Sequence, residues 1–133
     1  SKNVQIELTG SRCEISGISH ILDEMIFNLC ENAIKYNKEN GKVDISIKET
    51  DLNVLLTVSD TGIGIPEEAQ ERVFERFYRV DKSHSKETGG TGLGLSIVKH
   101  GAAFHDADIE MKSAVNKGTQ ITIIFQKATD SLI

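Results

Sequence analysis

Within the run Asn28-Leu29-Cys30-Glu31-Asn32-Ala33-Ile34-Lys35-Tyr36, four side chains of distinct chemistry recur at helical spacing. At ~100° per residue, Asn28, Asn32, Lys35 and Tyr36 fall within roughly 100° of arc on a helix. The adjoining arc carries Ile21, Leu22, Met25, Ile26, Leu29, Ala33 and Ile34, so the helix buries a broad apolar face. Along its margin lie two amides, an ammonium group and a phenol ring. Amide oxygens suit a hard cation such as magnesium; the ammonium suits phosphate, and the ring suits a flat partner. The plainer reading has the amides capping or bridging nearby backbone, Lys35 solvated and Tyr36 at the core edge. A mid-helix Asn costs up to ~0.7 kcal/mol against Ala, so two of them beside an apolar face call for a reason.

Two glycine-rich segments follow. In Asp60-Thr61-Gly62-Ile63-Gly64-Ile65-Pro66 a carboxylate at a strand end precedes two glycines. Such a carboxylate can accept a hydrogen bond from an exocyclic amine, which separates adenine from guanine, and glycines admit close backbone approach to a planar ligand. A tight turn with a capping Asp is the alternative. Gly90-Thr91-Gly92-Leu93-Gly94-Leu95 opens a helix, where N–H groups and the helix dipole favour an anion. It lacks the Gly-Lys-Ser/Thr of a Walker A loop and the spacing of a dinucleotide-binding fingerprint; a flexible hinge is the alternative. Between them, Phe74-Glu75-Arg76-Phe77-Tyr78-Arg79 mixes aromatics with arginines. Either the rings dock a loop base into the core with Arg stems lying alongside, or an Arg reaches a polyphosphate across a movable lid.

The elements that must hold these groups are readable from periodicity. Val4–Leu8, Val43–Ile47 and Val54–Val58 alternate or run apolar as strands, with Cys13–Ile15 as a short extra strand, and the third is the most central in character. The first helix is expected from Ser16–Ser19, with Ser16 as its cap and Asp23 and Glu24 near its positive end, to about Asn37–Gly41. Pro66 opens a short helix through Phe74, residues 79–91 form a long functional loop, and Leu93–Phe104 form a second long helix. Ile109–Met111 and Gln120–Phe125 are strands joined at Asn116–Gly118, and the tail frays from Lys127. This order predicts an α/β two-layer sandwich: a mixed, mostly antiparallel sheet with helices on one face.

Composition narrows the class. The chain has 133 residues, which suits a single domain spanning 1–133, and no repeat or linker divides it. It is 38% hydrophobic and 26% charged, as soluble globular domains are. No apolar run reaches the ~20 residues of a membrane span, and no segment reads as a signal peptide. The net charge of −5 argues against a nucleic-acid or acidic-membrane surface, although Arg72, Arg76, Arg79, Lys82 and Lys86 gather in one segment. Cys13 and Cys30 read as reduced thiols, with Cys30 on the buried side of its helix.

Taken in order, these segments resemble the catalytic, ATP-binding domain of bacterial sensor histidine kinases, in the superfamily that also holds the ATPase of DNA gyrase, MutL and related chaperones. Asn28–Tyr36 resembles the N box, Asp60–Gly64 the first glycine box, Phe74–Arg79 the F box, Gly90–Leu95 with Ser96–Lys99 the second glycine box, and Gly118–Thr119 the last short glycine motif. The F box and Arg79-Val80-Asp81-Lys82 favour the kinase branch. The resemblance implies a Bergerat-type fold, ATP and Mg2+ as cofactors, and a role for each matching residue. Asp60 would receive the adenine amino group, with Thr119 assisting through water. Gly62, Gly64 and Ile65 would shape the base pocket, and Tyr36 would lie against the ring. Asn32 would hold magnesium. Asn28, Lys35 and Arg76 would act on the phosphates, with Arg79 reaching in as a lid orders. Gly90, Thr91, Gly92, Leu93, Gly94 and Leu95 would cradle the phosphate chain.

Two features depart from the family pattern. Where the family has Gly-Gly after its helix-ending His, His105 is followed by Asp106-Ala107-Asp108, so the glycine cap is missing. Gly101 sits where a good helix former belongs, at about 1 kcal/mol against Ala. The family's phosphoacceptor His precedes an acid near a Pro on a dimerising hairpin, and His20, His84, His100 and His105 lack that setting; all four read as surface or structural. The resemblance therefore implies that the dimerisation and phosphoacceptor domain, and a membrane-anchored sensor, lie outside this chain. A response regulator would be engaged through the full kinase. The chain itself is expected to be a cytosolic monomer. The alternatives are a serine-directed kinase of the anti-sigma type or an ATPase of the same fold; Asn28 stands where those ATPases carry a water-activating Glu.

Overall fold

The structure is a computed structural model that describes residues 4–10, 17–70, 72–75 and 94–127. Strand β1 (Gln5–Gly10) leads to helix α1 (Ser19–Lys35). Strands β2 (Lys42–Glu49) and β3 (Asn53–Asp60) follow, then a short 3-10 turn (Glu67–Ala69), helix α2 (Gly94–Phe104), and strands β4 (Asp108–Ala114) and β5 (Gly118–Gln126). The sheet runs β1-β2-β3-β5-β4. Among the described strands only the β1–β2 pair is parallel; the other three pairs are antiparallel. The expected α/β two-layer sandwich is what forms, and β3 is its central strand.

Strand period two decides which residues meet the helices. The register sets Val43 against Asp60, Ile45 against Val58 and Ile47 against Leu56, and then Val58 against Ile121 and Leu56 against Ile123. These residues therefore share one face. Met25, Leu29 and Ala33 of α1 and Leu95, Val98 and Ala102 of α2 pack on that face in one cluster, with Met25, Leu29, Val43, Val98 and Ile123 essentially inaccessible. The opposite face carries polar pairs such as Thr57 with Thr122, 3.1 Å apart. Helices and strands thus enclose a single apolar layer, as a domain of this size requires.

Several local expectations are corrected. Ser16 and Cys13–Ile15 lie outside the described residues. Helix α1 starts at Ser19 with Ile18 as its cap and no side-chain cap, and no acid falls in its first turn. The Ile18 N–H instead donates to His105 Nε2 at 3.1 Å, so a tertiary bond does the capping. Ile26, expected on the buried arc, is 40% exposed, because it sits ~100° around the helix from the fully buried Met25. Cys30, on the same shoulder, is half-buried, and burial pushes its thiol pKa up. The short helix expected after Pro66 forms in 3-10 geometry over Glu67–Ala69, with successive i→i+3 bonds (Ala69 to Pro66, Gln70 to Glu67, Arg72 to Ala69).

Both departures from the family pattern have a structural account. Asp106 itself adopts the left-handed conformation (φ 55°). The Ala107 N–H reaches Ala102 O at 2.8 Å and the Asp106 N–H reaches Ala103 O at 3.1 Å, so the helix-ending loop closes with Asp in glycine's place. At Gly101 a β-carbon would lie 2.5 Å from Met25 Cγ and 2.6 Å from Met25 Sδ. The missing side chain is what lets α1 and α2 approach.

Candidate functional site

The candidate residues converge at one end of the sandwich. Asp60 ends β3, Thr119 opens β5 opposite it, Tyr36 ends α1, and Gly94 opens α2. Asp60 Oδ1 accepts the Gly62 N–H at 2.8 Å and the Thr119 N–H at 3.2 Å. The carboxylate is therefore anchored through one oxygen, and among the described residues nothing bonds Oδ2. Burial raises the Asp60 pKa above the ordinary carboxylate range, and the two backbone N–H groups partly oppose that rise.

The loop after Asp60 is folded against protein backbone. A β-carbon on Gly62 would lie 2.2 Å from Tyr36 O, and the Ile63 N–H donates to that same carbonyl at 3.1 Å. Gly64, at φ 75°, brings the loop equally close to Ala114 O. Among the described residues, the close approach these glycines allow is made to the end of α1 and the end of β4. Ile65 is half-buried against the core cluster.

Four side chains hold this loop in roles the sequence did not reveal. Asn37, 2% exposed, donates to Lys42 O at 3.0 Å and accepts from the Lys38 N–H at 2.9 Å and from Thr61 Oγ1 at 3.0 Å. Thr61 Oγ1 in turn accepts the Lys42 N–H at 2.9 Å. This knot ties the end of α1 to the loop bearing Asp60. On the other side, Gln70 Nε2 donates to Ile65 O at 2.9 Å and Ser113 O at 3.1 Å, while the Ile65 N–H donates to Ser113 Oγ at 2.7 Å. The one available signal was Asn37 directly after the helix stripe, and turn propensity accounted for it equally well.

The two asparagines meet the start of α2. A β-carbon at Gly94 would lie 3.3 Å from Asn28 Oδ1 and 3.6 Å from Asn32 Oδ1, so both amide oxygens face the same point. Asn28 Nδ2 donates back to Glu24 O at 2.7 Å, so the bridging role and an outward-facing oxygen coexist in one side chain. Hard oxygen donors beside a helix N-terminus are the donor set magnesium accepts when phosphate supplies the rest. No cluster of three His, Cys, Asp or Glu side chains is placed to hold a metal among the described residues. Lys35 Nζ lies 3.6 Å from Glu31 Oε1 and is partly exposed. Tyr36 is half-buried at the helix end, and Leu95 faces the core. Arg76, Arg79, Gly90, Thr91, Gly92 and Leu93 lie outside the described residues.

Known proteins share this fold. A family model described as histidine kinase-, DNA gyrase B-, and HSP90-like ATPase matches residues 17–129. The signal transduction histidine-protein kinase ArlS of Staphylococcus aureus (strain USA300) is 41% identical over 119 residues, covering 90% of this chain and 26% of ArlS. The chain thus spans about a quarter of the length of the curated relatives it matches. Among solved structures, a mycobacterial sensor histidine kinase, MprB, superposes with a TM-score of 0.82 at 30% identity, covering 92% of this chain and 83% of that one. The catalytic domain of histidine kinase ThkA gives 0.79 at 27% identity, over 94% and 81% of the two chains. Full-length ShkA, solved in complex with AMPPNP, gives 0.77 at 27% identity, over 95% of this chain and 26% of ShkA. The chain belongs to the family of histidine kinase-, DNA gyrase B- and HSP90-like ATPases, on the branch of the sensor histidine kinases, and it corresponds to their catalytic domain.

Proposed function

We propose that this single domain binds ATP with magnesium and presents the γ-phosphate to a histidine on a separate dimerisation domain, as one step of two-component signalling. The observation that carries the reading is the anchoring of Asp60. Two N–H groups fix Oδ1, and among the described residues nothing bonds the other oxygen, which leaves it an oriented acceptor. An oriented acceptor suits the amine of adenine and opposes the carbonyl of guanine. That ShkA was solved with AMPPNP supports an ATP-shaped occupant for the same fold.

The remaining residues fit the other end of such a ligand. Tyr36 would lie along the base, and Lys35 and the Asn28 amide would neutralise and orient phosphate oxygens. The N–H groups opening α2 at Gly94 would face the phosphate chain, together with Gly90, Thr91, Gly92 and Leu93. Asn32 would hold magnesium, whose charge spreads over the phosphates when it is bound. Arg76 and Arg79 would meet the terminal phosphates. Phosphoryl transfer depends chiefly on positioning and charge, and this set provides both.

Water activation is disfavoured, which separates this reading from an ATPase of the same family. Glu31 pairs with Lys35 and Glu24 with His20, at 3.6 and 3.7 Å. Neither carboxylate faces Gly94 beside Asn28 and Asn32. Titration calorimetry tests the proposal: ATP and ADP are expected to bind with magnesium, and no heat at millimolar nucleotide refutes it. The dimerisation domain and the response regulator are the partners this reading requires.

A further inference from the structure

Ser113 controls the donor and acceptor pattern beside Asp60. It sits on β4 with its side chain on the helix face, where its hydroxyl has three partners. The Gly118 carbonyl, 3.0 Å away, can only accept, so it takes the single proton of Ser113. The Ile65 N–H donates to Ser113 Oγ at 2.7 Å. Thr119 Oγ1 lies 2.8 Å from the same oxygen, and with the Ser113 proton already engaged it can bond only by donating its own. The Thr119 hydroxyl then has lone pairs alone to offer a ligand.

Thr119 is the register partner of Asp60 across β3 and β5, and its N–H holds Asp60 Oδ1 at 3.2 Å. The two side chains therefore project side by side. We infer that Ser113 is a positioning residue for purine selection: it accepts the Thr119 proton, so that the Asp60 and Thr119 side chains together present acceptors only. Such a pair takes an exocyclic amine, directly or through a water it orients, and repels an exocyclic carbonyl. The inference rests on the ATP reading above and deepens it, because discrimination becomes a property of a proton order spread over Gly118, Ser113 and Thr119, and not of the Asp60 carboxylate alone.

In the test, the whole chain is titrated with ATP and with inosine triphosphate, which carries a carbonyl where adenine carries its amine, at fixed magnesium. The parent is expected to prefer ATP. In Ser113→Ala the Thr119 hydroxyl is free to turn and donate, so the ATP-to-inosine preference should shrink on the order of tenfold, the factor associated with one hydrogen bond. Ser113→Thr restores the hydroxyl and should restore the preference. Ser113→Cys fills similar space with a poor acceptor and carries the test if the Ala variant fails to fold. Equal weakening toward both nucleotides, or loss of fold in both the Ala and Cys variants, assigns Ser113 a purely architectural role and overturns the inference. A parent that binds neither nucleotide refutes the ATP reading itself, whereas a parent that binds ATP beside an Ala variant with unchanged preference refutes only the role of Ser113.

Discussion

In the proposed reading Asp60 opposes stability and serves nucleotide binding at once. Its burial disfavours the charged form, and its pKa is raised. An acid whose folded pKa lies above its unfolded one binds protons more readily when folded, so this group weakens the fold as pH rises through that window. The cost grows as pH rises above the ordinary carboxylate range and disappears below it. Asp60→Asn keeps an oxygen for the Gly62 and Thr119 N–H groups and turns the outward acceptor into a donor. The variant is expected to melt no lower than the parent at pH 7, an advantage that shrinks in acid, while ATP affinity falls by about 1.5–3 kcal/mol or more. Melting curves across pH beside calorimetric titrations check both halves; a variant that binds ATP like the parent removes Asp60 from the purine site. In the parent, binding should also weaken with falling pH sooner than an ordinary carboxylate would cause. Asp60 was legible from sequence because a strand-ending carboxylate before glycines is a local pattern. Asn37 and Ser113 were not, because their bonds join separate elements of the chain: Ser113 meets Ile65 across 48 positions.

At the scale of elements, alternation placed the strands well and helical periodicity placed the end of α2 at Phe104, but the cap of α1 was misplaced at Ser16, because a long-range contact supplies it. Helix α1 is capped by His105, which lies 87 positions away. The ring of His105 also contacts Gly101 O through Nδ1 at 2.8 Å, so the neutral tautomer with the proton on Nδ1 satisfies both ends. Propensity alone predicts that Gly101→Ala gains about 1 kcal/mol. The structure predicts the opposite sign: the new methyl would overlap the Met25 side chain, which is 1% exposed and can shift only by displacing its packed neighbours, and overpacking of that kind costs roughly 1–3 kcal/mol. Denaturant unfolding decides between the two, and a stabilised variant would show that the helices part more easily than their packing implies. Asp106→Gly should act in the other direction, stabilising by roughly 0.5–1 kcal/mol, because φ 55° is a strained choice for Asp and a free one for Gly. An unchanged unfolding midpoint would mean that the Asp side chain compensates its own strain.

Over the whole molecule, the site occupies one end of the sandwich and the described histidines stand away from it. The helices run antiparallel: Gly94 meets Asn28 and Asn32, Gly101 meets Met25 and Ile21, and Gly17 meets His105. The groups proposed to face the phosphates therefore lie where α2 begins, and His105 with the start of α1 lies at the far end. His20, exposed and paired with Glu24, is roughly 12 Å along α1 from Asn28. His105 has both ring nitrogens engaged. Neither can meet a γ-phosphate held near Gly94 without unfolding a helix, and His100, exposed on α2, is about a turn and a half beyond Gly94 along the axis. The chain alone, incubated with labelled ATP and magnesium, is accordingly expected to acquire no phosphohistidine. Adding a separate dimerising helical hairpin that carries an acceptor histidine should label the hairpin and leave this chain unlabelled. Label on His20 or His100 would place the acceptor inside the domain and overturn the proposed division of labour. A hairpin that stays unlabelled while ATP binds would reduce the domain to a nucleotide-binding module without transfer.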